Sequence, residues 1–454
     1  MSTTIPYHDP DRQRVSPDVR PAGVRWHIVG LLAIIAGLTY VDRLNLGIAG
    51  KYIQDQFHFD NQTMGWILGS FSLGYAIFHV PGGWLGDRFG PRRVLTLAIL
   101  WFSVFTAATA IAPRLPLVGW LGVAWSFGIT RFLMGVGESA ALPVGNKIMG
   151  TWLGDRERAF GTSTFLAGLA VGGIIAPVII NSIAKRWGWQ ASFVLCGLLG
   201  VVVAVAWYIY ARNRPEEHPR VNAAELAIIL EGRGTQAERH RANDSSMRTP
   251  WIRILSSPSV WGLMISHICL VYGFGIFFTW FFIYLVNVRG LTMTRGSLWS
   301  STPFIAGVIV SPFWGWLSDR AVGKFGKRRG RRDTVWLSVF CSAVLMWSGG
   351  HTANDSLAIL QLAAAAGFNM ASTAIFWTTC NDIAQRFSGS VSGAMTTFGS
   401  LGGWLSPILT ARIATKYGWI QALDVAALVT LAGGLSWFFI DASRSVDQDL
   451  RNPG

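Results

Sequence analysis

Apolar stretches of about 20 residues, the length that crosses a bilayer as a helix, recur twelve times along this 454-residue chain. In chain order they are spans 1 to 12, near 27–50, 64–86, 92–112, 118–149, 159–183, 190–211, 259–287, 297–318, 334–351, 355–381, 390–413 and 419–440. Only 14% of residues are charged and 51% are hydrophobic, whereas a soluble domain carries nearer a quarter charged. Fifty-one glycines and 22 tryptophans fit small residues at helix contacts and aromatics at membrane interfaces. The expected fold class is an all-α membrane protein of twelve transmembrane helices.

The one long polar interruption, 212–258, divides the spans into two groups of six. The chain then reads as an N-terminal tail (1–26), a six-helix half (27–211), a central loop (212–258), a second six-helix half (259–440) and a C-terminal tail (441–454). With the N-terminus cytosolic, that side holds 27 Lys and Arg and the opposite side 8, as retained loops require. Both tails and the central loop are therefore expected in the cytosol, and in a bacterium the membrane would be the inner one. The tail contains no short apolar region with a cleavage site, so the first helix is expected to be retained. The net charge of +14 sits in these loops. The run KFGKRRGRR at 324–332 is thus a solvated cytosolic loop, and no nucleic-acid partner is expected. Cys196, Cys269, Cys341 and Cys380 lie in apolar segments without ligand spacing, so neither a disulfide framework nor a metal site is implied.

The halves repeat. GWLGDR at 83–88 returns as GWLSDR at 315–320, IAKRWGWQA at 183–191 as IATKYGWIQA at 413–422, and APVI at 176–179 as SPIL at 406–409. Three matches at nearly one offset indicate a duplicated six-helix unit, and two such halves around a midplane site are a secondary-transporter architecture.

Charges inside spans are the second constraint. Asp42 and Arg43 in span 1, and Arg131, Glu138 and Lys147 in span 4, interrupt apolar sequence. An ionised group at mid-membrane costs about 3 kcal/mol on insertion scales, so it persists where it pairs or faces water. Arg131 and Glu138, seven residues apart, share a helix face about 10.5 Å apart along the axis, with Asn146 roughly in line. Adjacent Asp42 and Arg43 point about 100° apart and serve different partners. Guanidinium forks suit carboxylates, so Arg43 and Arg131 are candidates to grip an anion. Buried carboxylates suit proton loading unless a cation offsets the burial, which makes Asp42 and Glu138 the candidates for proton coupling. A purely structural use of these ion pairs is the competing reading.

GGWLGDRFGPRR (82–93) and GWLSDRAVGKFGKRR (315–329) resemble the signature loops of the major facilitator superfamily, and YVDRLNL in span 1 with RFLMGVGESAALPVGNK (131–147) resembles its anion:cation symporter branch. That branch moves sugar acids such as galactonate, hexuronates and glucarate, and other organic anions. The resemblance implies a proton-coupled symporter of small organic anions working by alternating access, as a monomer in the lipid bilayer and without a cofactor. It assigns Tyr40, Tyr75 and Ser400 to substrate alongside Arg43, Arg131 and Asn146, and makes Asp87, Arg88, Asp319 and Arg320 a conformational latch. This chain departs from the sugar-acid pattern at Leu169, where a glutamine is expected, and at TTFGS (396–400), where Thr396 and Ser400 replace amides. Aromatic acids or dicarboxylates are therefore alternatives, as is sodium coupling.

Other features read more plainly. His79, His267, Tyr272, Trp280 and Tyr284 suit packing as well as function. NAAELAIILEGRG (222–234) reads as a surface amphipathic helix without chemistry. No Walker A or H-E-x-x-H sequence is present, which speaks against an enzyme. A transporter-like nutrient sensor would need a signalling extension, and both tails are short.

Overall fold

The computed structural model describes residues 20–116, 118–230, 251–384 and 387–444, and no strand occurs among them. The ends of both predicted tails and residues 231–250, including the last positions of the 222–234 segment, lie outside the described residues.

Span 1 is Val24–Phe57, span 2 Asn61–Phe89, span 3 Pro91–Ile111, span 5 Asp155–Trp187 and span 6 Trp189–Tyr210. Span 4 comprises Val123–Glu138 and Ala141–Trp152. In the second half, span 7 is Pro258–Thr279 continued by Phe281–Asn287, spans 8 and 9 share Thr302–His351, and spans 10, 11 and 12 are Asp355–Ile383, Ser388–Tyr417 and Trp419–Leu435. Seven of these, spans 1, 3, 5, 6, 7, 10 and 12, are long and apolar enough to cross a membrane by length and composition alone. The others are broken, carry the basic loop or are rich in glycine and serine.

Several helices outrun their apolar sequence, because the bilayer limits the apolar run and not the hydrogen-bonded ladder. Span 1 continues through the polar turn KYIQDQF before His58 ends it in a left-handed conformation (φ 52°). Asp60 then starts span 2 by accepting from the Thr63 main-chain N–H at 2.8 Å, a standard N-cap. The hydrogen-bond ladder of span 4 is interrupted once. Pro143 has no N–H to offer the carbonyl of Ser139, and the ladder stops at Glu138 and restarts at Ala141. Ser139 and Ala140 keep right-handed helical backbone angles across the interruption, so Asn146 follows Arg131 and Glu138 along the same helical course.

The sequence repeat has a backbone counterpart. Gly90 (φ 88°) and Gly326 (φ 78°) make the turns within the two signature loops, and Gly188 (φ 85°) and Gly418 (φ 105°) those in the second repeat. All four occupy the left-handed region that side chains avoid.

The halves meet through span 2 against span 11 and span 5 against span 8. A Cβ on Gly65 would stand 2.6 Å from the Pro407 carbonyl, and one on Gly69 2.8 Å from that of Trp404. Asn181 donates to Ser297 Oγ at 3.2 Å, and Ser301 to the Ile174 carbonyl at 2.6 Å. These contacts lie toward the end of the bundle away from the basic loops. Toward the other end spans 2 and 11 part: Gly82 and Gly86 face span 4, while Gly389 and Gly393 would place a Cβ in open space.

Candidate functional site

Small residues set the geometry of the buried charges. A Cβ on Gly74 or Gly135 would collide with the main-chain carbonyl of Phe132 or Phe71 respectively, so spans 2 and 4 lie backbone to backbone. This brings the rings of Phe71 and Tyr75 against the arginines. The Arg43 guanidinium carbon stands 4.7 Å from the Tyr75 centroid, 5.1 Å from Phe71 and 5.8 Å from Tyr40. Arg131 stands 5.4 Å from Phe71, all within cation–π range.

The charges pair across helices. Arg43 Nε donates to Glu138 Oε1, joining span 1 to span 4. Arg131 Nη1 reaches the main-chain carbonyl of Asp42 at 3.3 Å and Met134 Sδ at 2.9 Å. The Arg43 side chain thus has Glu138 as its partner, while Asp42 meets Arg131 only through its main-chain carbonyl. Both carboxylate oxygens of Asp42, Oε2 of Glu138 and Nε of Arg131 are buried without a hydrogen-bond partner. Asp42 and Glu138 are 0% exposed and Arg131 2%, whereas the Arg43 side chain keeps 20%. Of the four, Arg43 is the one an incoming molecule can reach.

The remaining expected residues distribute unevenly. Tyr40 is half-buried and edge-on to Phe278 at 5.1 Å and Phe304 at 6.2 Å. Tyr75 is buried, 5.1 Å from the His79 ring. Asn146 is exposed. Ser400, half-buried on span 11, donates to the Thr396 carbonyl at 2.9 Å. Tyr40, Asp42, Arg43, Tyr75, Arg131 and Glu138 therefore form one cluster, and neither Asn146 nor Ser400 bonds to it. His267 packs on Phe376 at 5.4 Å with Nδ1 3.0 Å from the Met395 carbonyl. Trp280 donates to the Pro407 carbonyl at 3.0 Å, and Tyr284 accepts from Arg289 at 2.9 Å. Leu169 joins the apolar core of the first half.

At the basic-loop end, Asp87 pairs with Lys147 at 2.6 Å, which ties the first signature loop to the second part of span 4. Arg88 lies over Trp84 at 5.2 Å and Phe89 at 5.5 Å. In the other half Asp319 pairs with Arg331 at 3.0 Å, and Arg331 and Lys327 both reach Asp382 of span 10, at 3.3 and 2.7 Å. Arg320 lies over Trp316 at 5.3 Å. Lys147 stood out in the sequence as a cation inside a span but had no assigned partner, and Asp382 gave no signal at all.

A second buried network was not expected. Arg25, at the start of span 1, donates to both oxygens of Glu157 on span 5 (2.7 and 2.8 Å) and to Glu225 (3.2 Å). Glu225 belongs to the central-loop helix Ala223–Leu230 and is 0% exposed. Asn222 accepts from the Glu225 N–H at 2.9 Å and donates to the Arg20 carbonyl at 2.8 Å. The segment read as a surface helix without chemistry is docked on the first half. An acid inside an apolar octet was the signal available for it.

Two pseudo-symmetric helical halves, joined along spans 2–11 and 5–8 around a buried charge cluster, define an integral membrane transporter. Residues 32–407 match the model of the Major Facilitator Superfamily, and the chain belongs to that family. It is 31% identical over 415 residues to a hexuronate transporter of Bacillus subtilis, covering 90% of this chain and 91% of that one. It is 27% identical to a D-galactonate transporter of Escherichia coli (93% and 96% covered) and 27% to a probable sulfoacetate transporter of Cupriavidus necator (95% and 97%). Among solved structures, the inward-open xylose transporter XylE of E. coli superposes with a TM-score of 0.70 at 16% identity, covering 92% of this chain and 96% of that one. At that identity the likeness concerns the fold alone.

Proposed function

We propose that the protein imports an organic anion, a sugar acid or another carboxylate, in symport with protons by alternating access. One observation carries the reading. The reachable guanidinium of Arg43 is held by Glu138, itself wholly buried with a free oxygen. The relatives named as hexuronate, galactonate and sulfoacetate transporters support an organic anion as cargo.

A carboxylate arriving at Arg43 competes with Glu138 for the same N–H groups. Protonating Glu138 removes its claim and frees the guanidinium fork for the substrate. Asp42, with no hydrogen-bond partner for either oxygen, is a second proton carrier, and Arg131, 2% exposed behind Arg43 in this conformation, is a second positive charge that favours the anion. Two arginines and two carboxylates cancel, so the anion adds a negative charge that protons offset. Each uncompensated charge crossing 100 mV involves about 2.3 kcal/mol, so proton cotransport removes the field's opposition to anion entry.

The positive-inside bias puts both termini in the cytosol and the closed end of the bundle outside, so this conformation is inward-facing. Asp87, Arg88, Asp319 and Arg320 sit where a latch between conformations would act, at the cytosolic ends of spans 2 and 8. No cofactor is needed, the proton gradient supplies the work, and the unit is a monomer in the bilayer.

In proteoliposomes an inside-alkaline pH gradient should drive accumulation of a labelled carboxylate. Glu138→Gln should abolish that accumulation while leaving exchange of bound anion. Gradient-driven uptake undiminished in Glu138→Gln would refute the proton assignment.

A further inference from the structure

We infer that the transported anion has an aromatic body, held against an aromatic box that spans 1, 7 and 8 build beside Arg43. The inference rests on the reading of Arg43 as the carboxylate grip. Four rings form the box. Tyr40 of span 1 meets Phe278 of span 7 at 5.1 Å and Phe304 of span 8 at 6.2 Å. Phe274 closes the group, 5.2 Å from Phe278 and 6.3 Å from Phe304, while Phe278 and Phe304 are 5.4 Å apart. Each pair lies within the range at which rings attract edge to face. The box crosses the boundary between the halves and is continuous with the cation, because Tyr40 is also 5.8 Å from the Arg43 guanidinium. Tyr40, Phe274 and Phe278 are only half-buried, so the group keeps open ring surface.

Span 11, where sugar-acid recognition was expected, offers hydroxyls already committed to their own helix. Thr396 and Ser400 continue, toward the open end, the side of span 11 that Gly403 and Pro407 turn to span 2. Their hydroxyls donate within their own helix, Thr396 to the Ser392 carbonyl and Ser400 to the Thr396 carbonyl, both at 2.9 Å. Thr279, next to Phe278, likewise donates to the Gly275 carbonyl at 2.8 Å. A sugar acid brings several hydroxyls that must keep partners when buried, and these three side chains, their own donors committed, can only accept from them. A ring needs no such partners and gains contact with the open surface of Tyr40, Phe274 and Phe278, which Phe304, 0% exposed, backs from behind. Selectivity built on hydroxyl recognition is strong and selectivity built on apolar fit is moderate, so the expected preference is about tenfold or more.

The test compares benzoate with glucuronate on the purified full-length protein, by thermal shift and by counterflow of labelled benzoate in proteoliposomes. Benzoate is expected to stabilise the protein and to compete at a concentration at least about tenfold lower than glucuronate. Phe278→Leu should shrink that ratio severalfold by weakening benzoate more than glucuronate. Glucuronate binding as tightly as benzoate, with both weakened in Arg43→Lys, overturns the aromatic box and leaves the carboxylate grip standing. Binding of either acid that is indifferent to Arg43→Lys, or binding of neither, removes the grip and the box together.

Discussion

Replacing Arg25 with methionine isolates the docking of the central-loop helix. The Arg25 side chain is 7% exposed and holds two carboxylates of unequal burial, Glu157 at 26% and Glu225 at 0%. Without the cation, Glu157 regains water and loses little. Glu225 stays buried with Oε2 already unpartnered, although the Arg25 main-chain N–H, at 2.9 Å, still serves its other oxygen. Removing one partner of a buried ion pair costs about 3–5 kcal/mol, and the surviving main-chain bond points to the lower figure. Three kcal/mol is roughly a hundredfold in a local opening equilibrium. The assay is hydrogen–deuterium exchange over 223–230, where protection should fall by that factor while the twelve spans stay protected. Adding Glu225→Leu should restore most of the protection, since an apolar pair replaces a buried ionic one at little cost. Unchanged exchange in Arg25→Met, or a double variant no better than the single one, contradicts the docking.

Arg43→Lys should weaken anion affinity about tenfold, read by thermal shift, because an ammonium reproduces neither the fork to a carboxylate nor the stacking on three rings. Burial, with Arg212 nearby, holds the imidazole of His218 in the central loop below its ordinary 6.5. The neutral form is therefore favoured in the docked state, so its contribution is complete above 6.5 and declines as the pH drops below that value. Exchange over 223–230 should speed up on acidification, and His218→Phe should flatten that dependence. Gly135→Val should lower the melting temperature far more than Gly30→Ala, since a Cβ at 135 meets the Phe71 carbonyl and one at 30 meets nothing. Lys147→Gln breaks an ion pair whose side chains are 37% and 69% exposed. It should change stability by less than about 1 kcal/mol and show its effect, if the latch reading holds, in the transport rate.

The helical class and the duplication were legible because the bilayer writes them into sequence as apolar length and repeated glycine turns. The positions of Asp42, Arg43, Arg131 and Glu138 were legible for the same reason, since charge in an apolar run is conspicuous. Their pairing was not. Helical periodicity puts Arg131 and Glu138 on one face, but which group Arg43 meets depends on how closely span 2 lets span 4 approach, and that is set by Gly74 and Gly135 in three dimensions. The interruption of the ladder after Glu138 was foreshadowed by Pro143, and the helical course continues through it. The burial of Glu225 depends on Arg25, 200 positions away, and no local pattern reports such a contact.

The central claim is that anion and protons cross together. Proteoliposomes in weakly buffered medium, with no imposed gradient, report it directly through an external pH electrode while labelled anion uptake is followed in the same vesicles. Adding whichever of benzoate or glucuronate the protein binds should alkalinise the medium in step with uptake, beyond what protein-free vesicles show, and Glu138→Gln should abolish net uptake and alkalinisation together. Anion uptake with no accompanying alkalinisation would contradict the account.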